Sequence, residues 1–192
     1  SLSLTALGTV PTGGMLMRSG AKAGDEIYVS GTLGDGALGL LALQKKIPCD
    51  DFLINRYLLP QPRLSLGEKL RGLAGACMDV SDGLMQDLGH ICTASQLGAR
   101  VRKTALPLSS AAKVMLEKDP ALWEKIYAGG DDYELLFTAP KNKAAEIAAL
   151  ARELSLPLTK IGEIGEGSGA ELMNGQGKNI SLPRKGYSHF SE

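Results

Sequence analysis

The sequence has little of several residue types, and each shortage argues against a class of protein. Only three of its 192 residues are cysteine (Cys49, Cys77 and Cys92), and none form a CxxC pair, so we expect reduced thiols in a cytoplasmic protein. Lysine plus arginine number 21 and so do aspartate plus glutamate, and this balance gives no electrostatic reason to expect a nucleic-acid or anionic-membrane partner. The longest apolar runs, such as ALGLLAL, are far shorter than the roughly 18–20 residues of a membrane span.

Glycine is abundant, with 24 residues, whereas a usual share of about 7% would give far fewer. The glycines cluster at the ends of segments, which is typical of tight turns and of backbone that approaches something closely. The first ten residues alternate between apolar and polar types and predict a strand that has no neighbour to pair with. Because the chain also lacks an initiator methionine, we expect it to be a fragment.

Strands and helices are predicted to alternate along the chain, which favours an α+β (mixed α/β) domain with a sheet covered by helices. The predicted strands are 1–10, 26–31, 76–80, 134–140 and short segments after residue 157, with a weak one in ARVRKTAL (99–106). The predicted helices are 37–46, 50–59, 63–73, 84–97, 110–118, 120–128 and 142–154.

A glycine-rich turn at 31–39 is the first candidate site. Gly34, Gly36 and Gly39 fit the G-x-G-x-x-G pattern between a strand and a helix, where backbone amides can face a phosphate. A dinucleotide site would also need a second strand ending in an acidic residue about 20 positions later, and CDDFLINRYLLPQP is not such a strand. We therefore favour a tight strand-to-helix turn.

The string MDVSDGLMQDLGHI (78–91) is the second candidate. Asp79 and Asp82 flank Ser81 where a strand passes into a helix, so two carboxylates can converge on one Mg²⁺ and the hydroxyl can donate to a phosphate. The alternative is that Asp82 merely caps the helix, and the residues alone leave both interpretations open. Asp87 and His90, further along the helix, are interpreted as a member of a solvated face and as a histidine with its hydrogen bonds satisfied, rather than as ligands.

The third candidate is AGGDDYELLFTAP (128–140). It crowds Asp131, Asp132 and Glu134 into four residues ahead of a buried strand, an arrangement that costs energy unless a cation or donor compensates. Alternation places Asp132 and Glu134 on one face of this segment and Tyr133 on the other. The sequence contains no P-loop, no G-x-S-x-G elbow and no HExxH motif.

Four strings together resemble bacterial thiamine-monophosphate kinases: RSGAKAGDEIYVSGTLGDGALGL, MDVSDGLMQDLGHI, GGDDYELLFT and the closing KGYSHF. Their order and spacing cover nearly the whole chain. That family is related to aminoimidazole ribonucleotide synthetase and selenophosphate synthetase, and it binds ATP without a P-loop. The resemblance implies Mg²⁺-dependent transfer of the ATP γ-phosphoryl group to thiamine monophosphate, giving thiamine diphosphate. The alternatives are a non-catalytic nucleotide-binding domain and a relative that acts on another small phosphate.

The resemblance also implies roles for individual residues. Asp79 and Asp82 correspond to Mg²⁺ ligands, Arg18 and Ser81 to ATP contacts, and Asp131 and Tyr187 to contacts with thiamine monophosphate. Family members carry an N-terminal half with further metal ligands, which forms the core of a homodimer. Residues 1–14 would then be the last strand and linker of that half, and residues 15–192 the C-terminal α/β domain. By itself such a domain is expected to fold without catalysing.

Overall fold

A computed structural model describes residues 3–183 and residue 186. The strands in these residues are β1 (Glu26–Ser30), β2 (Cys77–Asp79), β3 (Gly98–Arg102), β4 (Leu135–Ala139), β5 (Leu158–Gly165) and β6 (Gly169–Met173). The α-helices are α1 (Asp35–Leu43), α2 (Asp51–Leu58), α3 (Leu64–Lys69), α4 (Leu84–Ser95), α5 (Ser110–Lys118), α6 (Trp123–Ala128) and α7 (Ala144–Glu153). Short 3₁₀ helices lie at Lys103–Ala105, Pro120–Leu122 and Lys141–Lys143.

The six strands form one mixed sheet in the order β2-β4-β1-β5-β3-β6. All neighbouring strands run antiparallel except β3 and β6, which are parallel. The predicted α+β class is therefore confirmed. For the candidate site, the important feature is that β2 lies at one edge of the sheet, so Asp79 ends an edge strand directly beside β4.

Apolar side chains pack on both faces of the sheet, which explains why all five residues of the central strand β1 are buried. One face carries Ile27 and Val29 against α1, α4, α5 and α6. The other carries Tyr28, whose ring stacks on Phe137 at 5.4 Å between centroids, in a second cluster with residues of α3 and α7. Successive side chains of a strand point to opposite faces, so this alternation fixes the register of β1.

The predicted strand at 1–10 is not formed in its described part, residues 3–10. Leu4 and Leu7 are 94% and 96% exposed, and no strand is assigned there. A strand needs a partner for its backbone groups, and residues 3–10 contact none of the six strands through a ladder. Within the described residues, no helix has both the length and the apolar character needed to cross a bilayer.

Candidate functional site

The two acidic strings lie side by side because the β2–β4 ladder continues beyond the strands. Asp79 pairs with Leu135 at the end of β2. Past that point the N–H of Val80 donates to the carbonyl of Glu134, and the N–H of Tyr133 donates back to Val80, both at 2.8 Å. The N–H of Asp131 then donates to the carbonyl of Ser81 at 3.0 Å. Residues 50 or more positions apart in sequence are thus held within one hydrogen-bonded ribbon.

Three half-buried carboxylates of this region act on the phenol group of Tyr133. The Tyr133 hydroxyl donates to Oδ1 of Asp131 at 3.2 Å. Burial raises the pKa of Tyr133, and the charges of Asp131, Asp79 and Asp82 raise it further. We refer to Asp79, Asp82 and Asp131 as the acidic cluster. Carboxylate oxygens are the ligands that Mg²⁺ prefers, so the acidic cluster supplies the type of ligand that a hard cation takes.

The backbone under the acidic cluster is strained. Asp131 and Tyr133 have φ values of 68° and 51°, in the left-handed region that non-glycine residues rarely adopt. A Cβ at Gly130 would lie 2.3 Å from the carbonyl oxygen of Ser81, so only glycine fits between the two segments. Strain of this kind persists only where the surrounding structure enforces it, and here the paired ribbon does so.

The loop before α4 is held by a residue that the sequence analysis misinterpreted. Oδ2 of Asp87 accepts the backbone N–H groups of Ser81 (3.0 Å), Asp82 (3.1 Å) and Gly83 (3.1 Å). Asp87 is 1% exposed, so its assignment to a solvated helix face is wrong. The apolar neighbours of the first turn of α4 bury it, whereas its polar character had suggested solvent. Burial raises the pKa of Asp87 to about 6, against the lowering by these three donors.

Asp82 does not cap α4. The N-cap is Gly83, and no side chain makes a cap hydrogen bond there. Oδ2 of Asp82 instead accepts from Nε2 of Gln86 at 3.3 Å. Ligand atoms of Asp82, Asp87 and His90 lie within 4.8 Å of one another. Of the two interpretations left open by the sequence, the geometry therefore favours a carboxylate that is available to a cation.

A groove of about 570 Å³ adjoins the acidic cluster. Asp79 and Tyr133 line it together with apolar residues that include Met15, Pro62 and Leu64. The volume lies within the range of about 300–1,000 Å³ that is usual for small-molecule sites. The acidic cluster thus has room beside it for an organic ligand.

The glycine-rich turn is not a phosphate cradle, in agreement with the tight-turn interpretation. The N–H groups of Gly34 and Gly36 donate to Oδ2 and Oδ1 of Asp132 at 2.7 and 3.1 Å. The carboxylate of Asp132, which is 2% exposed, therefore occupies the position at the start of α1 where an external anion would otherwise bind.

Glu134 is also buried, and its charge is compensated by two arginines that the sequence analysis missed. Arg63 donates from Nε and Nη2 to both carboxylate oxygens at 2.7 and 2.6 Å, and Nη2 of Arg56 donates to Oε1 at 2.9 Å. The Ser30 hydroxyl adds a bond of 2.6 Å. The only sequence signal was the crowding of acids, which requires a cation partner, but nothing in the spacing identified Arg56 or Arg63 as that partner.

The two remaining predicted residues are Arg18 and Tyr187. Arg18 is exposed, and its carbonyl accepts the hydroxyl of Ser95, the last residue of α4. The carbonyl of Met17, its neighbour in the chain, accepts the N–H of Cys77 at 3.1 Å, so Arg18 lies beside the start of β2, the strand that ends at Asp79. Tyr187 lies outside the described residues. Its neighbour Gly186 contacts the loop before α4, where a Cβ would be 2.8 Å from the carbonyl oxygen of Asp82.

The buried Asp132 predicts a pH-dependent stability. Burial raises its pKa to about 7, although the Gly34 and Gly36 donors lower it. An unfolded aspartate titrates near 3.9, so between about pH 4 and 7 the folded chain binds more protons than the unfolded chain. The contribution of Asp132 is thus fully present below pH 4 and is lost as the pH rises through 7.

Urea unfolding between about pH 4 and 7 should show the free energy of unfolding falling as the pH rises. Asp132→Asn should make this dependence on pH less steep. Asp119→Asn, which alters an exposed cap, is the control and should retain the slope. A wild-type slope in Asp132→Asn would contradict the prediction.

Comparison with known proteins gives a consistent result. Residues 22–173 match the family described as AIR synthase related protein, C-terminal domain. Over the full length of this chain, the thiamine-monophosphate kinases of Escherichia coli K12 and Haemophilus influenzae are 42% and 41% identical. The chain spans 60% of the length of each of these relatives.

Two solved structures are similar in fold and sequence. The thiamine-monophosphate kinase of Stenotrophomonas maltophilia K279a superposes with a TM-score of 0.81 and 40% identity, covering 89% of this chain and 56% of that one. AaThiL complexed with AMPPCP and TMP superposes with a TM-score of 0.76 and 35% identity, covering 91% of this chain and 54% of that one.

Proposed function

The chain belongs to the AIR synthase related protein family, as its C-terminal domain, and we propose that it serves as the C-terminal part of a kinase that transfers the γ-phosphoryl group of ATP to thiamine monophosphate with Mg²⁺. The observation that carries the proposal is the acidic cluster, which gathers oxygen ligands from two distant strings in a relative of thiamine-monophosphate kinases. AMPPCP, an analogue of ATP, is present with TMP in one structure of similar fold.

Each site residue has a role in this proposal. Asp79 and Asp82 hold Mg²⁺, and the hydroxyl of Ser81 donates to a phosphate oxygen of ATP. Asp131 contacts thiamine monophosphate from the ribbon. Tyr187 contacts it too, and follows Gly186, a residue that lies against the same loop. Arg18 contacts ATP from the segment beside the start of β2, the strand that ends at Asp79.

Bound Mg²⁺ would neutralise the charge that develops on the transferred phosphoryl group. The residues of this chain hold the carboxylates of Asp79 and Asp82 in one arrangement around the ion. No side chain is required as a base, because the accepting phosphate is already largely ionised at neutral pH. The apolar groove beside Asp79 offers space for the organic part of a substrate.

We include in the proposal a cytoplasmic location and a homodimeric enzyme. The unpaired cysteines support the first, and the second rests on the resemblance of the sequence to the kinase family. Neither nucleic acid nor membrane is a partner in this scheme.

The proposal predicts that the 192-residue chain alone gives little or no thiamine diphosphate, because the two carboxylates of Asp79 and Asp82 leave the six-oxygen shell of Mg²⁺ incomplete. Joining it to the part of the E. coli kinase that it does not match should produce turnover. Product formation from ATP, Mg²⁺ and thiamine monophosphate, followed by ³¹P NMR, measures both. Turnover by the chain alone would contradict the need for further ligands, and an inactive fusion that is folded and binds ATP would contradict the assigned reaction.

The same fusion tests the substrate contact. Tyr187→Ala should raise the KM for thiamine monophosphate much more than the KM for ATP, since an aromatic ring is lost from one substrate only. Tyr57→Ala, in α2, is a matched loss of a tyrosine and should leave the ratio of the two constants unchanged. Equal increases in both constants for Tyr187→Ala would indicate a folding role.

A further inference from the structure

The loop between β2 and α4 (residues 80–83) is fixed from several sides. Asp87 accepts its three successive N–H groups. Gly83, at φ 120°, lies so close to α6 that a Cβ there would be 2.9 Å from the carbonyl carbon of Ala128. Gly130 approaches the carbonyl oxygen of Ser81 on the opposite side. The conformation of the loop, and with it the placement of Ser81 and Asp82, depends on these contacts.

Among these contacts, the one made by Asp87 is unusual because a helix-capping group normally precedes its helix. Here the carboxylate belongs to the first turn of α4 and reaches back to the loop. One oxygen receives all three donors, so the other is not used in these bonds. A neutral apolar side chain at this position would leave three N–H groups without acceptors and would remove a negative charge beside Asp82.

We infer that Asp87 is the positioning residue of the cation site: its carboxylate sets the conformation of the loop so that Asp82 and Ser81 face the ion and its phosphate, and its charge adds to the negative field there. This inference rests on the proposed function, since it names the residue that prepares the Mg²⁺ site. Groups that orient metal ligands from behind typically change metal affinity about 10–100-fold when they are removed.

A purely structural role for Asp87 would have a different signature. A cap that only stabilises α4 would lower the free energy of unfolding and leave the affinity of the folded protein for a cation unchanged. Asp50 provides the comparison, because it caps α2 by accepting the N–H of Leu53 at 3.0 Å and is remote from the cluster in the chain. Asp50→Asn and Asp87→Asn therefore remove one cap carboxylate each.

The test uses the 192-residue chain and Mn²⁺ as the probe. Line broadening of the Ser81, Asp82 and Gly83 amide signals in ¹H–¹⁵N spectra gives the half-saturating Mn²⁺ concentration. We expect Asp87→Asn to raise this concentration about 10-fold, because the charge alone is lost, and Asp87→Ala to raise it about 100-fold, because the charge and the hydrogen-bond acceptor are both lost. Asp50→Asn should leave it unchanged. In the active fusion, the half-saturating Mg²⁺ concentration should rise in parallel, and excess Mg²⁺ should restore turnover of Asp87→Asn.

An unchanged half-saturating Mn²⁺ concentration in folded Asp87→Asn would overturn the inference, whatever happens to its stability. If Asp87→Ala does not fold, Asp87→Asn decides. Its side-chain oxygen can still accept the loop amides and keep the chain folded, while it lacks the negative charge that the inference also requires. A fusion that binds ATP and is folded but forms no thiamine diphosphate would overturn the proposed function alone. In that case, a higher half-saturating Mn²⁺ concentration in the Asp87 variants would still support the positioning role of Asp87.

Discussion

Asp79→Asn and Asp82→Asn are each expected to lower turnover of the fused kinase on the order of 10²–10³-fold. Each substitution removes a charged ligand of the Mg²⁺ that would neutralise the transferred phosphoryl group. The free energy of unfolding should change little, since both side chains are only half-buried and neither caps a helix. Turnover at saturating ATP over a range of Mg²⁺ concentrations, together with urea unfolding of the same variants, measures the two effects separately.

Asp51→Asn is the matched control for these substitutions. It removes an exposed carboxylate from the first turn of α2, away from the acidic cluster, and should behave as the unmodified chain. Asp87→Asn cannot serve in this role, since Asp87 holds the loop that carries Asp82. Normal turnover of either Asp79→Asn or Asp82→Asn at limiting Mg²⁺ would remove that residue from the set of ligands.

Glu134→Ala is expected to have the largest effect on stability. Its carboxylate is 1% exposed and pairs with Arg56 and Arg63 at 2.9 and 2.6 Å, so truncation leaves two guanidinium groups without their shared partner. Breaking a buried ion pair in this way costs about 3–5 kcal/mol, a large part of the roughly 5–15 kcal/mol that stabilises a domain. Urea unfolding of the 192-residue chain at constant pH measures the loss.

Glu163→Ala is the comparison for that experiment. Glu163 also has two cationic neighbours, Lys160 at 3.2 Å and Lys141 at 3.6 Å, but its side chain is 44% exposed. Water screens an exposed pair, so we expect a change of about 0–1 kcal/mol. Similar losses for the two glutamates would show that burial of the Glu134 network does not decide its contribution.

The acidic strings were recognised from local sequence. Which partner each of their acidic residues binds could not be predicted in this way. Asp131, Asp132 and Glu134 are close in the chain, and local patterning treats them as one group. The structure places Asp131 in the cluster and commits the other two to the glycine turn and to the arginines. Since those partners are about 70–100 positions away, local pattern could not indicate them.

Elements with a strong local signal could be predicted from the sequence. β1, α2, α4, α5 and α7 lie within or close to their predicted bounds, because apolar periodicity, caps and prolines act over a few residues. The cation site stays a prediction, which rests on Asp79, Ser81 and Asp82 in a turn between a strand and a helix. The strand predicted at 1–10 failed in its described part because periodicity records which face could be buried but supplies no partner strand.

The way in which these elements meet depends on long-range contacts. The order of the sheet places β2 beside β4, and this contact joins Ser81 to Asp131. In the folded chain Asp87, an acid that looks solvated in the sequence, is buried and accepts three loop amides. Burial and long-range hydrogen bonding depend on which distant segments pack together, and that choice is made by the whole core of the domain rather than by any one segment.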